Sequence, residues 1–404
     1  MTTPSVPEII VETGGLVPNL SGVGYYTQEL LRAYAALPGC WPITLLAYRF
    51  CLRSRPSPSE DFLKGLARSL DGRLEIRRRL LPGPVYARLR KLGLRPPAPV
   101  DAFVPPGRRI YFFPNYVGEP LWRGRCVPVI YDFGFMRFPR SLPDRDDLYL
   151  KRYLPRALKR ALQVVVISDF VKQELERAYG LPAERITTVY PAVDHSRFRP
   201  DIPAASRLAA RKKYGLPPGY IFSLGTLEPR KNFARLIEAY ALLPDDLRRR
   251  APLVIAGGPG WKNRDVRAAI RRLGLDSSVK LLGYIADEDR APLVREAALF
   301  ALPSLYEGFG MPVLESLACG TPVVTSARGA LPEVAGESAV YVDPLRPEDI
   351  ARGLKSVLDD PVLKKKLSAG GLKRAAAFQW SASARILAGV FQKAAAVAGR
   401  SRTR

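Results

Sequence analysis

Two carboxylates, Glu307 and Glu315, stand with seven residues between them in the segment Pro303–Val324, PSLYEGFGMPVLESLACGTPVV. Gly308, Phe309 and Gly310 make a turn, and Met311 with Pro312 opens a helix, proline being suited to a first helical position. A helix start carries free N–H groups and the positive end of the helix dipole, which attract an anionic phosphate. Carboxylates beside it accept hydrogen bonds from hydroxyls, so the segment suits a sugar phosphate. The pattern places Glu307 on the loop and Glu315 in the first turn of the helix. In isolation, ordinary carboxylates at a helix start would look the same.

A second group, Gly225-Thr-Leu-Glu-Pro-Arg-Lys-Asn232, brings the adjacent cations Arg230 and Lys231 to the turn after a strand. Such a turn points to the ligand edge of a parallel sheet, where two cations can grip a diphosphate. Asn232 would open the next helix. A third group, Gly14-Gly15 followed by Ser21-Gly22-Val-Gly24, is a near miss to a dinucleotide fingerprint, with Thr27 at the third glycine position.

These turns need strands to hold them. Short Val-, Ile- and Tyr-rich runs alternate with helical patterns, the mark of parallel sheets joined by crossover helices. Six runs precede residue 200, at 8–11, 43–48, 109–113, 127–131, 164–168 and 186–190, and six follow, at 220–224, 253–256, 279–282, 299–302, 322–325 and 339–342. Two α/β domains of similar size result, with the proline-bearing stretch Pro191–Pro218 as linker. After Val342 the pattern is wholly helical.

The chain has 404 residues, 47% hydrophobic and 25% charged, which excludes a disordered or mostly membrane-embedded protein. Its net charge of +25 favours polyanionic partners. No recognisable nucleic-acid module accompanies that charge, so no nucleic acid is expected. Four cysteines without metal-ligand spacing and one histidine argue against a metal site. The start lacks a secretory pattern and no 18-residue apolar stretch occurs, so a cytoplasmic protein is expected. Residues 73–95 carry eight basic side chains against Glu75 alone, interleaved with Leu, Val and Tyr. They read as a basic amphipathic surface, and peripheral binding to an anionic membrane, on the inner face of the cell membrane, is a further expectation.

The segment Pro303–Val324, with Ser304, Tyr306, Gly320 and Pro322 also in place, resembles the donor-site signature of the retaining glycosyltransferases with the GT-B fold, family four or group 1. Its wording and that of Gly225–Lys231 are most similar to mannosyltransferase-like members. The resemblance implies two Rossmann-like doubly wound parallel-sheet domains facing across a cleft: 1–198 on the acceptor side, 199–378 binding the nucleotide sugar, and 379–404 a helix returning to the first domain. It implies closure about the linker when donor binds.

The roles it implies are specific. Glu307 holds donor-sugar hydroxyls, Glu315 the ribose, and Arg230 and Lys231 the diphosphate. Gly22 and Gly24 form a loop over the donor, and Gly225, Gly308, Phe309, Gly310, Met311 and Pro312 line it. Gly258 lies beside the nucleotide, Tyr284 and Ile285 bracket the base, and Asp132 is a candidate for the acceptor hydroxyl or a structural strand-end residue. Ser168 is an N-cap or a ligand contact. The donor is a nucleotide diphosphate sugar, GDP-mannose first and a UDP-hexose second, with a glycan or lipid-linked acceptor and neither cofactor nor metal. A non-catalytic nucleotide-sugar-binding partner of the same fold is the alternative from another class. One departure stands out: many such enzymes carry His-Asp where this chain has Tyr131-Asp132, and a phenol cannot take up a proton near neutral pH. The single histidine, His195, is expected to be structural or at the hinge.

Overall fold

A computed structural model of the protein describes residues 6–400 except 19, 51–57, 71, 93, 95–98, 104–108, 119–120, 123, 125, 139–143 and 261–263. The chain divides into two compact units, Met1–Pro191 with Trp380–Arg404, and Ala192–Gln379.

Among the described residues the first unit holds seven parallel strands, β1 (Glu8–Glu12), β2 (Ile43–Phe50), β3 (Arg73–Arg79), β4 (Arg109–Phe113), β5 (Cys126–Ile130), β6 (Val164–Val166) and β7 (Ile186–Thr188), in the order β3-β2-β1-β4-β5-β6-β7. β5 and β6 are buried along their whole length. Strands covered by helices on both faces read as continuous apolar runs, which is why the sequence shows them plainly. β3 is the exception. Its sequence RLEIRRR looks like charged surface, yet it pairs with β2 from Thr44↔Arg73 to Phe50↔Arg79. It lies at the sheet edge, where charge blocks pairing with another chain. The expected basic surface at 73–95 is therefore an edge strand followed by the helix Gly83–Lys91, and Arg95 lies outside the described residues.

The last helix, Trp380–Arg400, packs on the helix Gly22–Ala35 and on β4. Leu387, Val390, Phe391 and Ala394 lie on one apolar stripe, all at most 1% exposed. Phe391 meets Tyr34 and Phe112 edge-on, each with ring centroids 5.4 Å apart. Full burial of one such ring stabilises by about 2–3 kcal/mol, so the C-terminal helix is an integral wall of the first unit.

The second unit holds six parallel strands among the described residues, β8 (Ile221–Leu224), β9 (Leu253–Ala256), β10 (Val279–Gly283), β11 (Leu299–Leu302), β12 (Val323–Ser326) and β13 (Ala339–Val342), in the order β10-β9-β8-β11-β12-β13. That order reverses between β8 and β11, paired at Leu299↔Ile221 and Phe300↔Phe222. Ligands of doubly wound sheets bind beyond the carboxyl ends of the strands at such a reversal. The stretch read as a linker contains a helix, Ala204–Lys213, packed on the helix Asp287–Glu296, with Tyr214 donating to Asp289 at 2.9 Å.

Candidate active site

The loop after β8 and the loop after β11 meet at the reversal point. The main chain ties them first, Leu305 N–H donating to Arg230 O at 2.7 Å. Asn232 adopts a left-handed backbone (φ 63°), and its side-chain amide donates to Pro303 O at 3.0 Å and Pro344 O at 2.7 Å. So Asn232 does open the following helix, Phe233–Ala241, and it also clamps the two loops together.

Held this way, three predicted residues converge. Lys231 Nζ donates to Glu307 Oε1 at 2.6 Å, and Arg230 Nη1 donates to Glu307 Oε2 at 2.8 Å. Ser304 Oγ adds a third bond to Oε1 at 2.7 Å, and Arg230 Nε donates to Glu228 at 2.9 Å. Lys231 is 7% and Glu307 4% exposed. Burial alone would raise the Glu307 carboxyl, but Lys231 and Arg230 outweigh it and hold it at about 2. Burial pushes Lys231 below the ordinary lysine range, against the pull of Glu307. The cluster is a buried carboxylate saturated by cations, an arrangement that a second anion can enter only by sharing those cations.

Gly310 ends the loop with φ 108°, a conformation that disfavours any side chain, and the helix Met311–Ala318 starts there with no side-chain cap. Its open N-terminus can receive phosphate oxygens. Pro312 lies at the helix start as expected, whereas Glu315 falls at the fifth position rather than in the first turn. Glu315 does not join the cation cluster; its carboxylate, 1% exposed, pairs with Arg290 of the helix Asp287–Glu296. Burial pushes the Glu315 carboxyl above the usual range despite that pairing. Phe309 points inward, its ring 5.7 Å from that of Phe378, so its side chain serves packing.

Neighbouring loops lie in sequence along the same sheet edge. Leu227 N–H donates to Gly258 O at 3.2 Å and Gly257 N–H to Gly283 O at 2.7 Å, which brings Gly225, Gly258 and the Tyr284–Ile285 turn alongside one another. Tyr284 is 76% exposed and available to a flat ring, whereas Ile285 is buried.

In the first unit, Ser21 caps the helix Gly22–Ala35. A Cβ on Gly24 would lie 2.6 Å from Gly15 O, so the loop requires that glycine, whereas one on Gly22 would meet nothing within 4 Å. Asp132 Oδ1 accepts from Gly134 N–H at 2.9 Å, and its own N–H donates to Tyr116 Oη at 3.1 Å. Tyr131 turns into the core, where its hydroxyl donates to Pro114 O at 2.8 Å and burial pushes its phenol well above the ordinary range. The residue at the usual histidine position is thus a packing residue. Ser168 is an N-cap, accepting from Val171 N–H at 3.1 Å. His195 Nε2 lies 3.2 Å from Phe378 O within the second unit.

Comparison with known proteins bears on this geometry. Residues 206–374 match the family described as "Glycosyl transferases group 1", and residues 110–197 match "Glycosyltransferase Family 4". O-antigen chain mannosyltransferase B of Escherichia coli is 36% identical over 272 residues, 67% of this chain and 71% of that protein. The chain belongs to the group 1 glycosyl transferases. The serotype-specific mannosyltransferase WbdA of E. coli is 34% identical over 231 residues, 56% of this chain and 28% of that longer protein. Among solved structures, sucrose-phosphate synthase from Thermosynechococcus elongatus superposes with a TM-score of 0.68 at 19% identity, covering 97% of this chain and 100% of that one. The fold is GT-B and the protein is a glycosyltransferase.

For a group 1 glycosyl transferase the two sheets supply the strand-end loops that motif reading singled out. Ser304 belongs to the signature but carries no role in it, and two site residues escaped it altogether. Arg290 is one arginine on a charged helix. Gly329 approaches so closely that a Cβ there would lie 2.3 Å from Glu307 O, with only one glycine in a loop as its signal. Among the described residues no helix is long and apolar enough to cross a membrane.

Proposed function

We propose that this glycosyltransferase moves a hexose, mannose from GDP-mannose first, onto a glycan or lipid-linked acceptor with retention of anomeric configuration. The observation that carries the reading is the convergence of Arg230 and Lys231 on Glu307 beside an uncapped helix start. A diphosphate placed there takes bonds from the two cations and the helix N-terminus. Glu307, relieved of part of its cation contact, turns an oxygen to the sugar hydroxyls, and Glu315 takes the ribose. The bond from anomeric carbon to phosphate oxygen breaks as the acceptor oxygen bonds to that carbon on the same face. The departing phosphate oxygen receives the acceptor proton, so the protein contributes position and fixed charge. Asp132 is assigned to the acceptor hydroxyl, one of its oxygens already oriented by Gly134 N–H.

Mannose is favoured by the motif wording and by the two E. coli mannosyltransferases that the chain resembles. Thermal stabilisation by a panel of GDP- and UDP-sugars, with NMR of the product's anomeric centre, tests the reading. Stabilisation by UDP-hexoses alone moves the donor to UDP, and an inverted product removes retention.

Because cationic side chains and a helix N-terminus neutralise the leaving diphosphate in this reading, transfer is expected to persist within about twofold in excess EDTA. Loss in chelator with recovery on adding Mg²⁺ or Mn²⁺ would overturn that assignment.

The same reading places the first unit on an anionic membrane. On and beside the helix Gly83–Lys91, Leu80, Val85 and Leu92 are 65%, 45% and 59% exposed, and Arg88 is exposed with them. That helix touches the helix Asp144–Arg160, which exposes Leu148, Lys151, Arg152, Arg156, Lys159 and Arg160. Arg77 is tied to Glu75 at 2.7 Å in the edge strand, so the test changes Arg78, Arg88, Arg152 and Arg156 to Ser. At about 1 kcal/mol per basic residue before screening, binding to vesicles containing phosphatidylglycerol should fall at least about tenfold in co-sedimentation. Equal partitioning of variant and wild type removes the membrane claim.

A further inference from the structure

Arg290 belongs to none of the motifs above, yet its guanidinium pairs with Glu315. Its Nη2 donates to Glu315 Oε1, its Nη1 donates to Asp287 Oδ1 at 3.1 Å, and its guanidinium lies 5.8 Å from the centre of the Phe198 ring. Asp287 is in turn paired with Arg197 at 2.7 Å. The guanidinium is thus held on three sides. Two polar atoms of the pair nevertheless remain buried with no partner, the donor Arg290 Nε and the acceptor Glu315 Oε2. Buried polar groups are almost always satisfied, and an orphan donor and an orphan acceptor on the same ion pair are complementary to a group that both accepts and donates. A vicinal diol does both.

We propose that Arg290 completes the donor-nucleotide subsite: it holds Glu315 with Oε2 unpartnered, and that oxygen together with Arg290 Nε–H reads the ribose cis-diol. The inference rests on the assignment of Glu315 to the ribose made above, and adds the residue that makes the assignment work. One carboxylate oxygen is committed to Arg290, so the other has a fixed direction before the nucleotide arrives. The planar fork matters, because a lysine ammonium could neutralise Glu315 without offering a second, oriented N–H. Burial already pushes the Glu315 carboxyl upward with Arg290 present, and removing that cation would push it further in the same direction.

The test measures, by calorimetry on the full chain, the affinities of GDP and UDP and of their 2′,3′-dideoxy counterparts for wild type, Arg290→Met and Arg290→Lys between pH 6 and 9. For wild type, loss of the diol should weaken binding of the preferred nucleotide about fiftyfold, as expected for two charge-assisted hydrogen bonds. For Arg290→Met the penalty should shrink to about threefold at pH 6 and grow as pH rises, because loss of the cation shifts Glu315 ionisation to higher pH than in wild type. For Arg290→Lys, which keeps a counter-charge if the methionine variant fails to fold, it should be about fivefold and flat with pH. A dideoxy penalty equal to wild type in either variant overturns the proposal, as does a loss of affinity shared equally by the ribose and dideoxy forms, the signature of a structural role. If wild type binds neither nucleotide, the donor assignment falls and this inference falls with it. Normal wild-type binding with an unchanged penalty in the variants removes Arg290 alone.

Discussion

Changing Arg230 and Lys231 together to alanine should lower transfer by at least about a hundredfold, because the leaving diphosphate would lose both fixed cations of its site. The structure adds a consequence for stability that the motif alone does not suggest. Glu307, 4% exposed in wild type, would keep Ser304 as its principal donor, and breaking a buried ion pair by removing the cations costs about 3–5 kcal/mol. In wild type its carboxyl is held at about 2, below the unfolded value, so its stabilising contribution is complete above the ordinary carboxylate range and is lost as pH falls toward 2. In the double variant the folded carboxyl lies above its unfolded value. Stability is then favoured at low pH and lost as pH rises through the folded value, the opposite trend. Thermal midpoints between pH 3 and 7 for both proteins should therefore converge as the pH is lowered. Transfer within tenfold of wild type, or parallel midpoint curves, would remove the cation cluster from the mechanism.

That contrast shows where sequence reading succeeds and stops. Val-, Ile- and Leu-rich strands such as β9 and β11 are visible because parallel strands bury both faces, and the Glu307 and Arg230-Lys231 loops are visible because they follow those strands. β3 is hidden because an edge strand is stabilised against misassociation by the same arginines that make it look like surface. The direction of a ring is equally illegible. Phe309 sits inside the strongest motif but faces Phe378, and Tyr131 looks like a replaced catalytic group but is a core phenol bonded to Pro114 O. Arg290 carries no local pattern, since what singles it out is a carboxylate 25 residues away in the sequence. Such pairings depend on how helices cross a sheet, and a single sequence does not display that.

Glu307→Gln separates the two jobs that one carboxylate performs. The amide keeps nearly the same shape and its oxygen can still accept from Lys231 and Ser304, whereas the NH2 group that replaces Oε2 cannot accept from Arg230. The substitution removes the negative charge that Arg230 and Lys231 now neutralise at 2.8 and 2.6 Å. The unliganded site becomes more positive by one charge, and a nucleoside diphosphate no longer competes with a resident anion. Its affinity should rise about tenfold, with a steeper salt dependence. Transfer should fall about a thousandfold, because the donor sugar loses a charged acceptor for its hydroxyls and the developing positive charge at the anomeric carbon loses a nearby anion. The two measurements move in opposite directions only if Glu307 acts on the sugar while the cations act on the diphosphate. If diphosphate affinity drops in parallel with transfer, Glu307 serves to order Arg230 and Lys231, and the hydroxyl contacts must be assigned to another side chain.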